Sequence, residues 1–590
     1  MRVYSGEAFS FIRHLSGLRR WSVLLSVALL VASHSALCES EPATDELVIG
    51  TITVELKDIF EHPTNTVFQT ANQLKIATRE GVIRKELLFQ EGDTYNQFRI
   101  LESERVLRTL RYLRNVNIRE ERSGSVVNIV VEAQDTWTII PQFSYSSGDG
   151  RSRRSVGIAE SNLLGYGKRI EALYEQDDGT DTLQAVYDSR NFWNTKNQLL
   201  VAGFTGNEGS EYLFEFERPY RSLVQRSAWN TNASAGDTLG KLYASGDERF
   251  VYQRDYEDYG AKYSISRGDP ERRVHRFSFG WEYSDERFAS ATDQDLDDLN
   301  IDPDSISRDP SMLADNRRFS GPLFSYDGIE QDFLPMNYID RFSRVEDYNL
   351  GTEFSATLFP ALGAFGSRGD YLLTSANLSD GLRLAAGSFI TGEVGIGSRL
   401  GPAGFENTLL RTEGRFFDVF GPLFWNDWYL GKHTLVGSFI FDYGDRFDRD
   451  RELLLGADNF LRGYDARTFT GDKRFALNVE ERAHFVENAF DLVSIGGAAF
   501  FDLGGSTTRT LGNLFADELY SDVGVGLRLA FPRSSGERII RIDFAIPLRD
   551  GPDGSSQFEF RVIFSGGQLV PSRLTTDRAG NERAQVELGF

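Results

Sequence analysis

The sequence predicts a mainly β protein, in which a transmembrane antiparallel β-barrel follows one small α+β domain. Apolar and polar residues alternate over about 430 residues after Trp137, as expected for strands with one face in lipid and one in a wet interior. The longest apolar run, residues 21–32, has twelve residues. A membrane-spanning helix needs about 20 residues. Together these observations favour a barrel over a helical membrane protein.

The start of the chain has the layout of a secretory signal peptide. Arginines, among them Arg13 and Arg20, precede the apolar run, and small residues follow it. We therefore assign residues 1–38 to a signal peptide and expect the chain to leave the cytoplasm. Leu37 disfavours a lipoprotein site at Cys38, the single cysteine of the chain. Cleavage after Cys38 would leave no thiol and no disulfide in the mature chain.

The composition agrees with a transmembrane barrel and argues against nucleic-acid binding. The chain has a net charge of −23, so its surface is expected to repel nucleic acid. It contains 56 Gly, 45 Phe and 23 Tyr but only 3 Met. Aromatic girdles, glycine-rich turns and a polar interior are typical of transmembrane barrels. We therefore expect no nucleic-acid partner.

Residues 48–136 are predicted to form the small domain. The predicted elements are a strand containing Ile52, Val54 and Leu56, helices at 82–88 and 97–112, and strands at 115–120 and 126–133. Leu107 and Leu110 lie three residues apart in the longer helix and Leu113 follows, which gives this helix one apolar face. This order of elements with one buried helix face suffices for a domain of about 90 residues.

Residues 137–566 are predicted to form the barrel, and the segment 523–531 shows the alternation most clearly. The loops are uneven, because the long segment 289–318 contrasts with the short turn 532–537. A soluble β-sandwich would have more regular loops, whereas outer-membrane barrels combine short turns at one end with long loops at the other. The region 180–268 can be divided in several ways, so about 16 to 20 strands fit the pattern.

One loop and the two strands after it carry the most specific pattern. The motifs are Leu461-Arg462-Gly463-Tyr464 in the loop, then Asn478-x-Glu480-x-Arg482, then Phe500-x-Asp502-x-Gly504. Alternation points Glu480 and Asp502 into the lumen, within reach of Arg462 if the loop folds inward. Charge-assisted bonds from the arginine fork would then lock the loop. The alternative is a solvated Arg462-Gly463-Tyr464 turn outside the cell.

These motifs resemble the BamA/TamA-type outer-membrane protein assembly superfamily, also called the bacterial surface antigen family. The small domain is similar to a polypeptide-transport-associated (POTRA) domain in the segments Glu86-Leu-Leu-Phe89, Gly92-Asp93 and 105–113. The matches touch most of residues 80–137 and 455–566. The resemblance implies a barrel of about 16 strands. It also implies that Arg462 binds acidic residues of the inner wall, for which Glu480 and Asp502 are the candidates.

From this resemblance we expect a bacterial outer-membrane barrel, with its small domain in the periplasm, that assists the insertion or translocation of polypeptides. Its expected partners are unfolded outer-membrane or secreted polypeptides, outer-membrane lipids and lipopolysaccharide, and periplasmic proteins or lipoproteins docked to the small domain. An open sheet edge of that domain can capture an extended chain without reading its sequence. The alternative is a passive outer-membrane pore or structural barrel with a periplasmic docking domain.

The seam between the first and last barrel strands, predicted at 137–146 and 557–565, is the second candidate site. Its candidate residues are Pro141, Phe558, Phe560, Gly566 and Gly567. Proline cannot donate a ladder hydrogen bond, and the glycine pair ends the last strand, so pairing is expected to be weak here. The resemblance implies that this seam is a lateral gate for client strands. The alternative is that Pro141 simply lies at a strand end, below the membrane.

Residues 567–590 follow the last predicted strand and end in Phe590. Members of the resembled family usually finish at the last strand, with an aromatic final residue, so this segment departs from the pattern. We expect it to be a periplasmic tail. The alternatives are a further strand or a duplicate of the terminal aromatic signal.

No pattern typical of an enzyme or a metal site stands out. The acidic segment 293–304 lacks the glycine at the sixth position of an EF-hand loop and is predicted to be solvated. The six His residues have no metal-ligand spacing, and no G-x-S-x-G elbow occurs. A lipase would need a serine near His484, which is predicted to face the lumen, and the sequence identifies none. We therefore predict no enzymatic activity, no cofactor and no metal.

Overall fold

The computed structural model describes residues 47–63, 65–148, 151–177, 180–457, 459–554 and 556–566. The predicted signal peptide with Cys38, the predicted tail 567–590 and Gly567 within it lie outside these residues. Within the described part of the chain, no helix is both long and apolar enough to cross a membrane.

The N-terminal domain contains a three-stranded sheet and three helices. Its elements are β1 (Val48–Lys57), α1 (Thr66–Leu74), α2 (Glu80–Glu86), α3 (Gln97–Arg108), β2 (Leu113–Ser123) and β3 (Val126–Asp135). The sheet order is β1-β3-β2, with β1 parallel and β2 antiparallel to β3. Asn65 and Asn96 begin α1 and α3, since each side chain accepts a hydrogen bond from the backbone N–H three residues on. The sequence analysis missed α1, which buries only Phe68.

The core of this domain contains the apolar face predicted for α3. Leu107 on α3 and Leu113 at the start of β2 are fully buried, together with Ile83 of α2 and Ile129 and Val131 of β3. Full burial of such a side chain stabilises a fold by about 1.5–3 kcal/mol. The helix itself ends at Arg108 rather than at residue 112.

The remaining strands follow in chain order. They are β4 (Ile139–Gly148), β5 (Arg151–Glu160), β6 (Lys168–Asp177), β7 (Thr180–Ser189), β8 (Gln198–Gly206), β9 (Gly209–Arg218), β10 (Ser227–Ala244), β11 (Asp247–Asp269), β12 (Arg273–Ser290), β13 (Arg317–Glu330), β14 (Phe333–Met336), β15 (Glu346–Asn349), β16 (Glu353–Ala361), β17 (Tyr371–Ala385), β18 (Ser388–Gly401), β19 (Gly404–Trp425), β20 (Trp428–Asp445), β21 (Leu453–Leu455), β22 (Phe469–Gly471), β23 (Lys473–Ala489), β24 (Val493–Thr507), β25 (Tyr520–Phe531), β26 (Arg538–Pro547) and β27 (Arg561–Gly566). Two short helices, α4 (Asp293–Asp298) and α5 (Leu511–Asp517), lie in loops.

Twenty of these strands form one closed antiparallel barrel in the described residues, and β14–β15 and β21–β22 form two separate hairpins. The predicted fold class, a mainly β barrel with a small N-terminal α+β domain, is confirmed. The number of 16 strands taken from the resemblance is wrong. The matched motifs lie in the N-terminal domain and in the last part of the barrel, so they carry no information about the middle. There, turns as short as 207–208 and 245–246 separate adjacent strands.

The two ends of the barrel differ. The N-terminal domain leads into the end at which β4 begins, called the domain end here, where the Trp137 N–H donates to the Arg533 carbonyl. The opposite end, the far end, carries long segments, among them 291–316 and 446–472. Turns of two residues occur at both ends, for example 386–387 at the domain end and 245–246 at the far end. The longest domain-end segment is 331–352, called the domain-end loop below.

Alternation sets the two faces of the barrel wall, as predicted. On β12, Phe277 and Phe279 are exposed on the outside while Ser278 between them is buried. On β23, Val479 is exposed, whereas Asn478 and Glu480 on either side of it are buried. An apolar outer face with a polar inner face is the arrangement that a strand between lipid and a wet lumen requires.

The acidic segment 293–304 is more ordered than predicted. Helix α4 begins with a capping box between Thr292 and Asp295. Leu296 and Ile306 are buried in an apolar cluster with Val251 of β11. In the part of the chain that the structure describes, no group of three or more His, Cys, Asp or Glu side chains is placed to hold a metal ion.

Candidate functional site

The segment 446–472, called the far-end loop below, folds back into the barrel. Its strands β21 and β22 pair with each other. At its tip Leu461, Arg462 and Tyr464 have no exposed surface. Leu461 and Tyr464 pack with Leu455 and Phe469 in one apolar cluster, which anchors the tip beside the charged group of Arg462. The tip is thus buried rather than solvated.

Arg462 contacts three carboxylates of the barrel wall. Its Nε and Nη2 donate to the two oxygens of Asp502 at 2.8 and 3.0 Å. Its Nη1 donates to Glu480 at 2.8 Å and to Asp543 at 3.2 Å. All three carboxylates are at most 1% exposed. The structure therefore brings the two predicted partners to Arg462 and adds Asp543, which the sequence analysis did not single out.

Alternation alone places Asp543 on the inner face of β26. Its neighbours in the chain, Ile542 and Phe544, are apolar and lie on the outer face of β26. Asp543 between them must therefore point inward. The sequence carries no signal for which inward carboxylate faces the loop tip, because that depends on how far the loop enters the lumen.

Further charged residues of the inner wall surround Arg462. The cluster contains Arg462, Arg482, Arg528, Arg541, Glu480, Asp502, Asp522 and Asp543, all at most 4% exposed. Arg482 donates to Glu480 at 2.8 Å, and Arg528 donates to Asp543 at 2.5 Å. Loss of Arg462 would leave Glu480, Asp502 and Asp543 buried without the guanidinium that binds all three, which is costly where water is excluded.

An aromatic ring completes the surroundings of Arg462. The guanidinium carbon lies 3.3 Å from the ring centroid of Phe500, in a cation–π arrangement. Phe500 lies on β24, two residues before Asp502, and therefore on the same inward face. A planar guanidinium can stack on a ring and bind carboxylates at the same time, whereas a lysine ammonium cannot.

Gly463 and Tyr464 fix the position of the loop tip. A Cβ atom on Gly463 would lie only 2.6 Å from the Cβ of Asp522, so no side chain fits there. The Tyr464 hydroxyl donates to the carbonyl oxygens of Arg549 at 2.9 Å and Ser521 at 3.2 Å. Gly463 thus permits a close approach to the wall, and Tyr464 ties the tip to the segments beside β25 and β26.

The seam between β27 and β4 is paired differently from the neighbouring ladder. Among the described residues, β27 and β4 share one registered pair, Val562 with Ser147, whereas β27 and β26 share six. Pro141 on β4 is opposite Ile158 of β5. Because proline has no N–H, Pro141 donates no ladder hydrogen bond. Gly566 lies in β27, and Gly567 lies outside the described residues.

The structure corrects the bounds of both seam strands. The first is Ile139–Gly148 rather than 137–146, and the last is Arg561–Gly566 rather than 557–565. Phe558 and Phe560 therefore precede the last strand instead of belonging to it. Phe558 has a φ of 68°, which departs from the extended backbone of a strand. A strand cannot continue through that conformation, although the side-chain pattern suggests one.

Phe560 lies on the outer face of the barrel. Its ring is exposed and stacks on Phe544 of β26, with centroids 5.7 Å apart. Phe544 belongs to the outward set of β26, so Phe560 continues the apolar outer surface next to the seam.

A buried carboxylate joins the N-terminal domain to the domain end of the barrel. Glu86, the last residue of α2, accepts hydrogen bonds from Asn191 at 2.8 Å, Arg221 at 3.1 Å and Arg190 at 3.3 Å. Burial alone would raise the pKa of the Glu86 carboxyl, but the charges of Arg190 and Arg221 outweigh burial and hold that pKa below its ordinary value of 4.5. The sequence pattern singles out Glu86 only as part of the segment similar to a POTRA domain. Its role at this contact was not predicted, because its partners lie at least 104 positions away in the chain.

His484 faces the lumen, as predicted, and its surroundings are aromatic. Its ring centroid lies 4.3 Å from that of Phe342 and 5.2 Å from that of Tyr338. Both rings belong to the domain-end loop. His484 therefore packs against this loop from the inner wall.

Comparison with known proteins gives structural likenesses at low identity. No family model and no curated protein matches the chain. Among solved structures, BamA from Haemophilus ducreyi lacking POTRA domains 1-3 is 12% identical over 88% of this chain and 84% of that chain, with a TM-score of 0.36. CdiB from Acinetobacter baumannii is 10% identical over 89% and 74%, with a TM-score of 0.45. CdiB from Escherichia coli is 11% identical over 88% and 76%, with a TM-score of 0.41.

Proposed function

We propose that this protein is a bacterial outer-membrane barrel that assists the insertion or translocation of polypeptides. The signal-peptide layout and the apolar outer face of a closed barrel support a place in the outer membrane. In such barrels the long loops face the outside of the cell. The far end, with the long segments 291–316 and 446–472, would then face the outside, and the domain end with the N-terminal domain would face the periplasm.

The uneven pairing at the seam is the observation that supports polypeptide handling most strongly. A barrel with uniformly paired strands has no edge, whereas opening the seam between β27 and β4 exposes two strand edges. An extended client chain can pair with such an edge through backbone hydrogen bonds, whatever its side chains. The short β27 limits the number of hydrogen bonds that must break, and Pro141 contributes no N–H to β4.

We also propose that Arg462, Gly463 and Tyr464 lock the far-end loop inside the barrel, with Glu480 and Asp502 as the acceptors. Breaking a buried ion pair by removing one partner costs about 3–5 kcal/mol. The acceptors of Arg462 lie on β23, β24 and β26, so the lock braces the wall on one side of the seam. Opening is then confined to the contact between β27 and β4.

The proposed partners follow from this placement. Unfolded outer-membrane or secreted polypeptides would reach the barrel from the periplasm, where the sheet of the N-terminal domain can pair with them or dock a lipoprotein. The outer face would contact outer-membrane lipids. The acidic loop at the far end suits lipopolysaccharide bridged by divalent ions.

A passive pore with a docking domain is the alternative function. Reconstitution separates the two. The mature protein is placed in liposomes, an unfolded outer-membrane barrel is added as the client, and the folded fraction of the client is followed with time. We expect the client to fold several-fold faster than in empty liposomes. Client folding at the rate of empty liposomes, together with ion conductance through the protein, would instead favour the passive pore.

A further inference from the structure

The domain-end loop (331–352) enters the barrel from the end opposite to the far-end loop. It leaves β13, forms the short hairpin β14–β15 and returns to β16. Between the two hairpin strands, Ile339 and Phe342 are at most 1% exposed. A turn that lies free in solution would not bury two large apolar side chains, so the domain-end loop must pack against other parts of the protein.

The inner wall supplies the apolar surface against which this loop packs. Ile339, with Leu334, Tyr348 and Leu350 of the same loop segment, forms one buried cluster with Phe389, Phe417 and Val436. The last three residues are registered neighbours on β18, β19 and β20 and share the lumen face. Phe342 packs in a second cluster with Ala530 and Ile539 of β25 and β26. The loop thus contacts two parts of the inner wall, β18–β20 and β25–β26, which are separated by β23 and β24.

Polar contacts hold the backbone of the loop tip. Arg482 of the inner wall donates to the Ile339 carbonyl at 2.9 Å. The backbone N–H groups of Phe342, Ser343 and Arg344 donate to the carboxylate of Glu537, at 3.1, 2.9 and 2.9 Å. Three successive N–H groups on one carboxylate form a specific anchor for this part of the chain.

Helix α3 of the N-terminal domain also binds the domain-end loop. Arg108, the last residue of α3, binds both oxygens of Asp347, at 2.9 and 2.7 Å. Arg344 of the loop donates to the carbonyls of Arg108 at 2.6 Å and Leu110 at 2.7 Å. Carbonyls at a helix C-terminus lack partners within the helix and carry partial negative charge, so a guanidinium is well suited to bind them.

The two loops meet inside the lumen. Phe460 of the far-end loop packs against the cluster of Ile339 and also against the cluster of Tyr464. Arg482 links the loops a second time, because it donates to Ile339 and also, at 2.8 Å, to Glu480. Glu480 in turn accepts the hydrogen bond from Arg462. One contact between apolar side chains and one chain of charged groups therefore connect the loop tips.

We propose that the domain-end loop and the far-end loop form one plug across the lumen, and that α3 of the N-terminal domain holds this plug shut. A movement of α3 away from Asp347 and Arg344 frees the domain-end loop. Release of that loop removes two contacts that tie it to the far-end loop, the packing of Phe460 and the hydrogen bond from Arg482 to Ile339. The N-terminal domain thereby controls access to the lumen. This inference goes beyond the proposed function, since it concerns the state of the lumen whatever the client.

The test measures access to the inner wall in detergent micelles, so it needs no membrane activity. In a Cys38→Ser background, Val436→Cys is the single thiol of the chain. Val436 is fully buried beneath the domain-end loop. We expect slow reaction with a water-soluble maleimide, and a rate at least about ten-fold higher when Asp347→Ala is added, because reaction follows the population of the opened state.

The controls separate release of the plug from general loss of structure. Glu330→Ala removes an exposed ion pair with Arg273 in the same barrel region and should leave the labelling rate unchanged. The exchange Arg108→Asp with Asp347→Arg should return the rate toward that of the parent. Phe460→Ala, which leaves Asp347 in place, should also raise the rate. Circular dichroism verifies the folded barrel in each variant.

Two results would overturn the inference. A parent thiol that reacts as fast as the denatured chain would mean that the lumen is not closed. A rate with Asp347→Ala equal to that of the parent and of Glu330→Ala would mean that α3 does not hold the plug. The assay with a client in liposomes is unaffected by either result, so the proposed function stands or falls separately.

Discussion

At the scale of single residues, the proposed lock predicts that Arg462 keeps the far-end loop in the lumen. Arg462→Ala leaves Glu480, Asp502 and Asp543 buried without the guanidinium that binds all three, and we expect the bound loop to lose about 3–5 kcal/mol. The measurement is the rate of limited proteolysis within 446–472 in the folded protein, which should rise steeply. Arg446→Ala is the matched control, because that side chain belongs to the same loop and is 49% exposed. Equal cleavage of the Arg462→Ala variant and wild type would contradict the lock.

Glu86 gives the junction of the two domains a dependence on pH. Its carboxyl has a pKa below 4.5 in the folded protein, so its contribution to stability is complete above the unfolded value and is lost as pH falls through the lowered folded value. We expect the N-terminal domain to detach at acid pH before the barrel unfolds. Proteolysis of the linker around residues 136–138 as a function of pH measures this.

Glu86→Gln is the variant for that experiment. It removes the charge from a buried contact with Arg190 and Arg221, so we expect detachment to occur more readily at neutral pH and to lose most of its dependence on pH. Glu80→Gln, at the start of the same helix and more exposed, is the control. An unchanged pH profile in the Glu86→Gln variant would rule out this carboxyl as the titrating group.

The sequence analysis predicted the centre of the Arg462 site because two kinds of information coincided there. Alternation placed Glu480 and Asp502 on the inner face, and the resemblance pointed the loop inward. Asp543 and Asp522 were missed, although alternation also places them inward, and Phe500 was named in a motif but not as a contact of Arg462. Proximity in three dimensions depends on strand register and loop depth, which the pattern of one strand does not contain.

At the scale of elements, β4 and β27 are the strands on which activity should depend. Pro141→Val gives β4 an N–H that proline lacks, so we expect a more firmly paired first strand, a seam that opens less readily, and client folding slowed several-fold in liposomes. Phe143→Val is the control, since it changes an exposed side chain on the same strand and keeps its N–H. If Pro141→Val leaves both seam cross-linking and client folding as in wild type, the proline only marks a strand end.

The bounds of β27 mark the limit of reading elements from alternation. Phe558 and Phe560 continue the apolar alternation of the last strand, yet the positive φ of Phe558 stops the strand before Arg561. Helix α1 was missed for the opposite reason, because it buries a single large side chain and its pattern is weak. The domain-end loop gave no periodic signal, since its apolar residues meet partners on distant strands.

At the scale of the whole molecule, the strand number is relevant to the proposed plug of two loops. The diameter of a barrel grows roughly in proportion to its strand number, so twenty strands enclose a wider lumen than the 16 expected from the resemblance. The far-end loop contacts β23, β24 and β26 through Arg462. The domain-end loop packs on β18, β19 and β20. If both loops close the barrel along its axis, as we propose, the seam is the route that is left for a client.

The most direct test of this account closes the seam with a disulfide. Val562 and Ser147 are registered partners across β27 and β4, and antiparallel partners have Cα atoms about 4.5–5.5 Å apart, within the range that a disulfide spans. The control disulfide joins Val525 and Phe544, registered partners on the fully paired strands β25 and β26. Oxidised Ser147→Cys/Val562→Cys should stop the acceleration of client folding in liposomes, and reduction should restore it, while the control pair remains active throughout. Full activity of the oxidised seam variant would contradict the claim that polypeptides pass through this seam.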